Sequence, residues 1–405
     1  MKKDKNLSLT MQIFISLGLG IIAGLLFMKA DMVDFTITYV KPFGTIFLNL
    51  LKFIVVPIVL CSIISGVISM KDIKKVGKIG GKTVLYYTLT TSFAVIIGLF
   101  FANLFKGGFQ VLETTGLEYD ATATVNFMDT LVSIFPSNLI KPMVDANMLQ
   151  VIVIALLFGF GIIVSEEKGE PFAQMIDSLS EVSMVVMSLI LKLSPIGVFA
   201  LITPVIAENG PKILGSLALV LLVAYIAYFI HMIVVYSSTV KLLGGYNPIK
   251  FFKGMVPAMV MAFSSASSVG TLPVNMDCVQ KMGAKKEIAS FVLPLGATIN
   301  MDGTAIYQGV CAVFIATCFG IDLTIGQMIT IVLTATLASI GTAGVPGAGI
   351  VMLAMVLQSV NLPIEGIALV AGVDRIFDMG RTVVNITGDA TCAMIISKSE
   401  EKKNR

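Results

Sequence analysis

The chain has 405 residues, 56% of them hydrophobic and 13% charged, with a formal net charge of +3 and a mean hydropathy of +0.93. Soluble domains carry about a quarter charged residues, so a water-soluble globule, a disordered chain and a disulfide scaffold are excluded. The basic residues are dispersed among short loops, which excludes a nucleic-acid surface, and the long continuous apolar runs give an all-α polytopic membrane protein rather than a barrel.

Eight runs are long enough to cross a hydrocarbon core of roughly 30 Å: residues 10–30, 43–70, 83–106, 146–165, 174–206, 214–243, 287–319 and 364–396. The first follows lysines as a signal peptide does, but it is too long for one and lacks a clean cleavage site, so it reads as a span. Lysines set the orientation. Lys2, Lys3 and Lys5 precede the first span, and Lys71, Lys74, Lys75, Lys78 and Lys82 fill the loop after the second. Lys241, Lys250 and Lys253 follow the sixth, and Lys281, Lys285 and Lys286 precede the seventh. Eight spans with both termini cytoplasmic satisfy all of these. Residues 251–280 and 326–360 are apolar but broken midway, by Ser264 through Pro273 and by Ser339 through Gly349. The lysine count makes each a re-entrant helical hairpin, the first from the cytoplasm and the second from outside. Irregular backbone at that depth needs protein or a watery cavity around it, and paired interrupted segments point to a transporter's binding site.

Ionisable residues inside spans are costly and functional by default. The eighth span carries Asp374, Asp378, Arg381, Asn385 and Asp389; at about 100° per residue they share roughly one-quarter of the helix surface. The seventh contains Thr298-Ile299-Asn300-Met301-Asp302-Gly303-Thr304, where a glycine among polar residues predicts local unwinding and free carbonyls. Tyr87, Thr90 and Thr91 lie within one turn of the third span and on their own read as packing hydroxyls. Arg381 offers a planar fork for a carboxylate, Asp378 an acceptor for an ammonium and Asn385 a partner for a second carboxylate, which together describe an acidic amino acid. Asp302 and Asp389 are then free for hard cations such as sodium, which prefer oxygen ligands. The five cysteines sit singly in apolar runs without metal or redox spacing, and the single histidine, His231, rules out a zinc-hydrolase motif. No cofactor is expected. An intramembrane aspartyl protease using Asp302 with Asp378 is the competing enzyme reading, weakened because Arg381 would keep Asp378 ionised. A passive channel fits a single mixed-charge cluster poorly.

Asn300-Met301-Asp302-Gly303-Thr304 and Asp378-Met379-Gly380-Arg381-Thr382, with Asn385 and Gly388-Asp389, resemble the glutamate/aspartate transporter family of dicarboxylate/amino acid:cation symporters. The resemblance covers nearly the whole chain. It implies a homotrimer in a prokaryotic cytoplasmic membrane, with inverted repeats and an elevator mechanism. A scaffold part would comprise residues 1–82 and 107–206, and a transport part 83–106 and 207–405, with the second hairpin as gate. Substrate contacts would fall on Ser268, Thr304, Val345, Gly349, Asp378, Arg381, Thr382 and Asn385. Sodium would be held by Asn300, Asn385 and Asp389; by Tyr87, Thr90, Thr91, Asn300 and Asp302; and by backbone at Thr298, Ser339, Ile340 and Thr342. Arg381 separates acidic-substrate members from neutral exchangers, and Asp378 argues against the C4-dicarboxylate branch. Gln308 stands where vertebrate members carry a proton-accepting glutamate, which favours sodium coupling; a proton-coupled acidic amino acid or dicarboxylate symporter is the alternative. Family arginines are absent at Ala266 and Met379, and Val269 replaces a serine. Arg375, one turn before Met379, is expected to send its guanidinium to the vacant place.

Overall fold

In hydrocarbon the backbone has no partner but itself, and the chain is helical, with no strand among the described residues. A computed structural model describes residues 9–69, 78–111, 132, 135–145, 148–339 and 348–403. In chain order the principal helices begin with α1 (Leu9–Lys29), α2 (Lys41–Ser69), α3 (Lys78–Phe105) and α4 (Met148–Val164). α5 (Glu170–Lys192), α6 (Ser194–Asn209) and α7 (Lys212–His231) follow. A π-helical turn over Met232–Tyr236 joins α7 to α8 (Ser237–Leu242). Next come the pair α9 (Pro248–Ser265) and α10 (Ser268–Lys281), then α11 (Lys286–Ile299) and α12 (Asp302–Cys318). The pair α13 (Ile325–Ser339) and α14 (Ala348–Ser359) precedes the long α15 (Asp374–Lys403). Among the described residues, Met11–Lys29, Ile79–Gly108, Ile213–Leu242 and Lys286–Cys318 are long and apolar enough to cross a membrane.

Two expected spans are subdivided. The run 174–206 breaks at Leu193, where Ser194-Pro195 opens α6, because proline cannot donate to the preceding turn and its ring excludes a carbonyl there. The run 364–396 starts as a 3-10 turn, Ile364–Gly366, leads into a short helix, Ile367–Ala371, and restarts at Asp374 after Gly372 and Val373. The unwinding expected in the seventh span is present: α11 ends at Ile299, Asn300 is extended (φ −91°, ψ 99°), and α12 begins at Asp302.

Packing divides the helices into two groups. α1, α2, α4, α5 and α6 pack on one another, while α3, α7 and α9–α15 surround α12 and α15; α14 touches α2 and α4 across the boundary. Between α1 and α6 the approach is close because Gly20 and Gly24 lie one turn apart. A Cβ on Gly24 would meet the Ile206 Cβ at 2.7 Å, and the Thr203 hydroxyl contacts the Gly20 carbonyl at 3.3 Å. Small residues one turn apart are the usual means of bringing helices together without a hydrophobic drive.

The α9–α10 pair is shaped by its caps. Asn247 accepts from the amides of Ile249 and Lys250 at 2.9 and 3.2 Å ahead of Pro248, a combination that starts a helix cleanly. Ala266 ends α9 in the left-handed region (φ 51°), at a cost of about 1–2 kcal/mol for a residue with a Cβ. Ser267 then caps α10 by accepting from the Gly270 amide at 3.0 Å.

Candidate functional site

The polar stripe of α15 faces inward: Asp374, Asp378, Arg381, Asn385 and Asp389 are all buried. Arg381 organises its first half. Its Nε donates to Asp378 Oδ1 at 2.9 Å, and its Nη1 and Nη2 donate to Asp374 Oδ1 and Oδ2 at 3.0 and 3.5 Å. The guanidinium carbon also lies 4.7 Å from the Tyr307 ring centre. A guanidinium has five N–H donors, so this one keeps donors for a further acceptor. Arg375 approaches Asp378 Oδ2 from the other side, Nη1 at 3.7 Å, and its Nη2 donates to the Ser265 carbonyl at the tip of α9 at 3.4 Å. The start of α14 covers Arg381 so closely that a Cβ on Gly349 would run into the guanidinium.

The second half of the stripe meets the break between α11 and α12. The Gly303 amide donates to Asn385 Oδ1 at 2.8 Å, and the Asn385 amide nitrogen faces the Thr304 hydroxyl at 3.4 Å. Asn300 Nδ2 donates to Asp389 Oδ1 at 2.9 Å and to the Asn385 carbonyl at 3.0 Å. Asp302, at the first position of α12, receives the Thr91 hydroxyl on Oδ1 at 2.6 Å. Its Oδ2 lies 2.8 Å from the Tyr236 hydroxyl and 3.2 Å from His231 Nε2. The Tyr87 hydroxyl donates to the Val292 carbonyl at 3.1 Å; a Cβ on Gly296 would meet both that hydroxyl and Asp389, so the two share one space.

These donors fit a cation. The buried Asn300 Oδ1 has no hydrogen-bond partner among the described residues. Asp302 and Asp389 have no lysine or arginine partner there either. An uncompensated buried charge is strongly unfavourable. Four buried carboxylates (Asp302, Asp374, Asp378, Asp389) face two guanidiniums (Arg375, Arg381), so with all four ionised the region would carry a negative excess that an anionic substrate would deepen and cations would relieve.

The expected residues are only partly assembled by these contacts. Asp378, Arg381 and Gly349 meet, as do Thr304 with Asn385, Asn300 with Asp389, and Thr91 with Asp302. Thr90, Thr298, Ser339 and Thr382 bond carbonyls of their own helices, and Ser268 is buried at the start of α10. Val345, Ile340 and Thr342 lie outside the described residues. Arg375 bridges the tip of α9, at the Ser265 carbonyl, and Asp378. Not anticipated were Asp374 as the two-pronged partner of Arg381, Tyr307 against the guanidinium, and His231 and Tyr236 on Asp302. Asp374 was legible as i, i+7 on one helix face; the others carried no local signal.

Residues 9–399 match the profile of the sodium:dicarboxylate symporter family. The chain belongs to that family. Among its relatives is a proton/sodium-glutamate symport protein of Geobacillus stearothermophilus, 39% identical over 99% of this chain and 96% of its own. A proton/glutamate-aspartate symporter of Escherichia coli (strain K12) is 36% identical over 100% and 95%, and a C4-dicarboxylate transport protein of Bacillus subtilis (strain 168) 34% over 99% and 95%. This member of the symporter family is therefore a multi-pass membrane protein that moves acidic substrates with a coupling cation. It is a transporter and not an enzyme. The protease reading falls with that, and the two carboxylates it would pair keep separate company: Asp302 with Thr91, Tyr236 and His231, and Asp378 with Arg375 and Arg381.

Proposed function

We propose that the protein imports an acidic amino acid, L-aspartate or L-glutamate, coupled to sodium. The observation that carries the reading is the pairing of a buried, donor-bearing Arg381 with two buried carboxylates, Asp302 and Asp389, that lack a lysine or arginine partner among the described residues. A substrate carboxylate takes the remaining guanidinium N–H donors, its ammonium lies by Asp378, and Asn385 and Thr304 receive the rest. Sodium ions, carried as cargo, neutralise Asp302 and Asp389 with oxygens from Thr91, Asn300 and Tyr87. Because four carboxylates face two guanidiniums, an anionic substrate binds favourably only once cations neutralise the unpaired acids, and this ordering is the coupling. The names of the relatives supply the second reading, in which protons replace sodium.

The two packing groups support an elevator in which α3 and α7–α15 carry the site past a scaffold of α1, α2 and α4–α6. The scaffold has a face suited to a homotrimer: Phe172, Met175, Leu179, Val182, Val185 and Leu189 of α5 are exposed and fall within about 140° of its circumference.

The test is uptake of radiolabelled L-aspartate and L-glutamate into proteoliposomes under an inward sodium gradient, against choline with and without an inward proton gradient. Uptake that requires sodium supports the reading. Uptake driven by protons in choline replaces the cation, and uptake of succinate in preference to both amino acids replaces the substrate.

A further inference from the structure

The chain's one histidine is buried in α7 and takes no part in the mechanism above, and Tyr236, equally buried, stands five residues later. In an α-helix, residues five apart point about 140° away from each other, so one ligand cannot be reached by both. Here the segment between them, Met232–Tyr236, is a π-helical turn, and i→i+5 closure brings residue 236 back over residue 231. The two rings lie edge to face with centroids 4.8 Å apart. Both polar atoms end on the same oxygen, Asp302 Oδ2, the tyrosine hydroxyl at 2.8 Å and His231 Nε2 at 3.2 Å.

We infer that this π turn exists to hold the Asp302 carboxylate for its cation, with His231 and Tyr236 as positioning residues; the inference rests on the sodium-coupled reading above. Three observations carry it. A carboxylate only accepts, so Nε2 is the donor, and Nδ1 has no partner among the described residues; the Asp302 contact is thus the imidazole's hydrogen bond there. The tyrosine hydroxyl has one proton and two acceptors, Asp302 Oδ2 and, at 3.1 Å, the Val384 carbonyl of α15, which fixes Asp302 against the stripe. Finally, Gly388 leaves room for that hydroxyl, since a Cβ there would meet it at 2.5 Å. With Oδ2 faced by His231 of α7 and Tyr236 of the π turn, Oδ1 is turned to α3, where Thr91 donates to it and oxygens proposed for sodium are found.

The experiment is a sodium titration of L-aspartate and L-glutamate uptake in proteoliposomes for wild type, Tyr236→Phe, His231→Leu and His231→Gln, the last keeping an amide N–H near the position of Nε2. Loss of one hydrogen bond to a charged group should raise the half-saturating sodium concentration about tenfold in Tyr236→Phe and His231→Leu, with the substrate KM at saturating sodium changed by less than about twofold. His231→Gln should recover most of the sodium affinity. In an Asp302→Asn background, Tyr236→Phe should have no further effect. An unchanged sodium titration in Tyr236→Phe, or His231→Gln as impaired as His231→Leu, overturns the positioning role. A wild type whose uptake ignores sodium overturns the sodium reading itself, before any variant is compared.

Discussion

In the proposed function Arg381 serves the substrate and Asp389 the cation, and on that reading their substitutions should separate accordingly. Arg381→Lys keeps a positive charge between Asp374 and Asp378 but loses the planar fork. The KM for the acidic amino acid should rise at least about tenfold, the equivalent of about 1.4 kcal/mol, while the protein still purifies as wild type; an unchanged KM in the uptake assay would remove Arg381 from substrate recognition. Asp389→Asn keeps the shape and removes the charge. Its half-saturating sodium concentration should rise by about tenfold or more with acidic substrates still preferred over neutral ones in competition. A sodium titration overlying that of wild type would exclude Asp389 as a cation ligand.

At the scale of helices, α5 shows two faces. Ile176 and Met187 are buried and Asp177 accepts from the Ser65 hydroxyl of α2 at 2.7 Å, whereas the opposite face displays the apolar stripe through Val182 and Val185. If that stripe joins subunits, Val182→Lys should lower the detergent-solubilised mass measured by light scattering from three copies toward one; a mass unchanged at three would assign the stripe to lipid. Helix identity and the inward stripe of α15 were readable because they depend on periodicity alone, and the unwound Asn300-Met301 because a glycine stands among polar side chains in an apolar run. The break at Leu193 has Pro195 as its one local signal, set inside a long hydrophobic run that otherwise reads as continuous. The meeting of His231 and Tyr236 was not readable at all, since a spacing of five places them apart in any regular α-helix and only the π turn unites them.

For the whole molecule, the division into two packing groups makes motion testable. Gly372, just before α15, faces Leu17 of α1, and a Cβ there would lie 3.1 Å from the leucine side chain. The five native cysteines are buried, so a Leu17→Cys, Gly372→Cys pair can be cross-linked with little background. Cross-linking should abolish uptake and reductant restore it; full uptake in the cross-linked protein would mean that the site does not travel past α1. One contact within the group of helices around α12 and α15 would, on the proposed reading, also set a tempo. Over Arg381 the start of α14 leaves space for a glycine hydrogen and no more, so if Arg381 binds the substrate as proposed, an amino acid would reach the guanidinium only while this arm stands away from it. The observed rate of substrate binding should then level off with rising concentration at the rate of that excursion, far below the collision limit. The apparent affinity would then be weaker than the intrinsic one by the same fraction, which would make the looseness of the arm, as much as the chemistry of the pocket, a quantity on which selection can act.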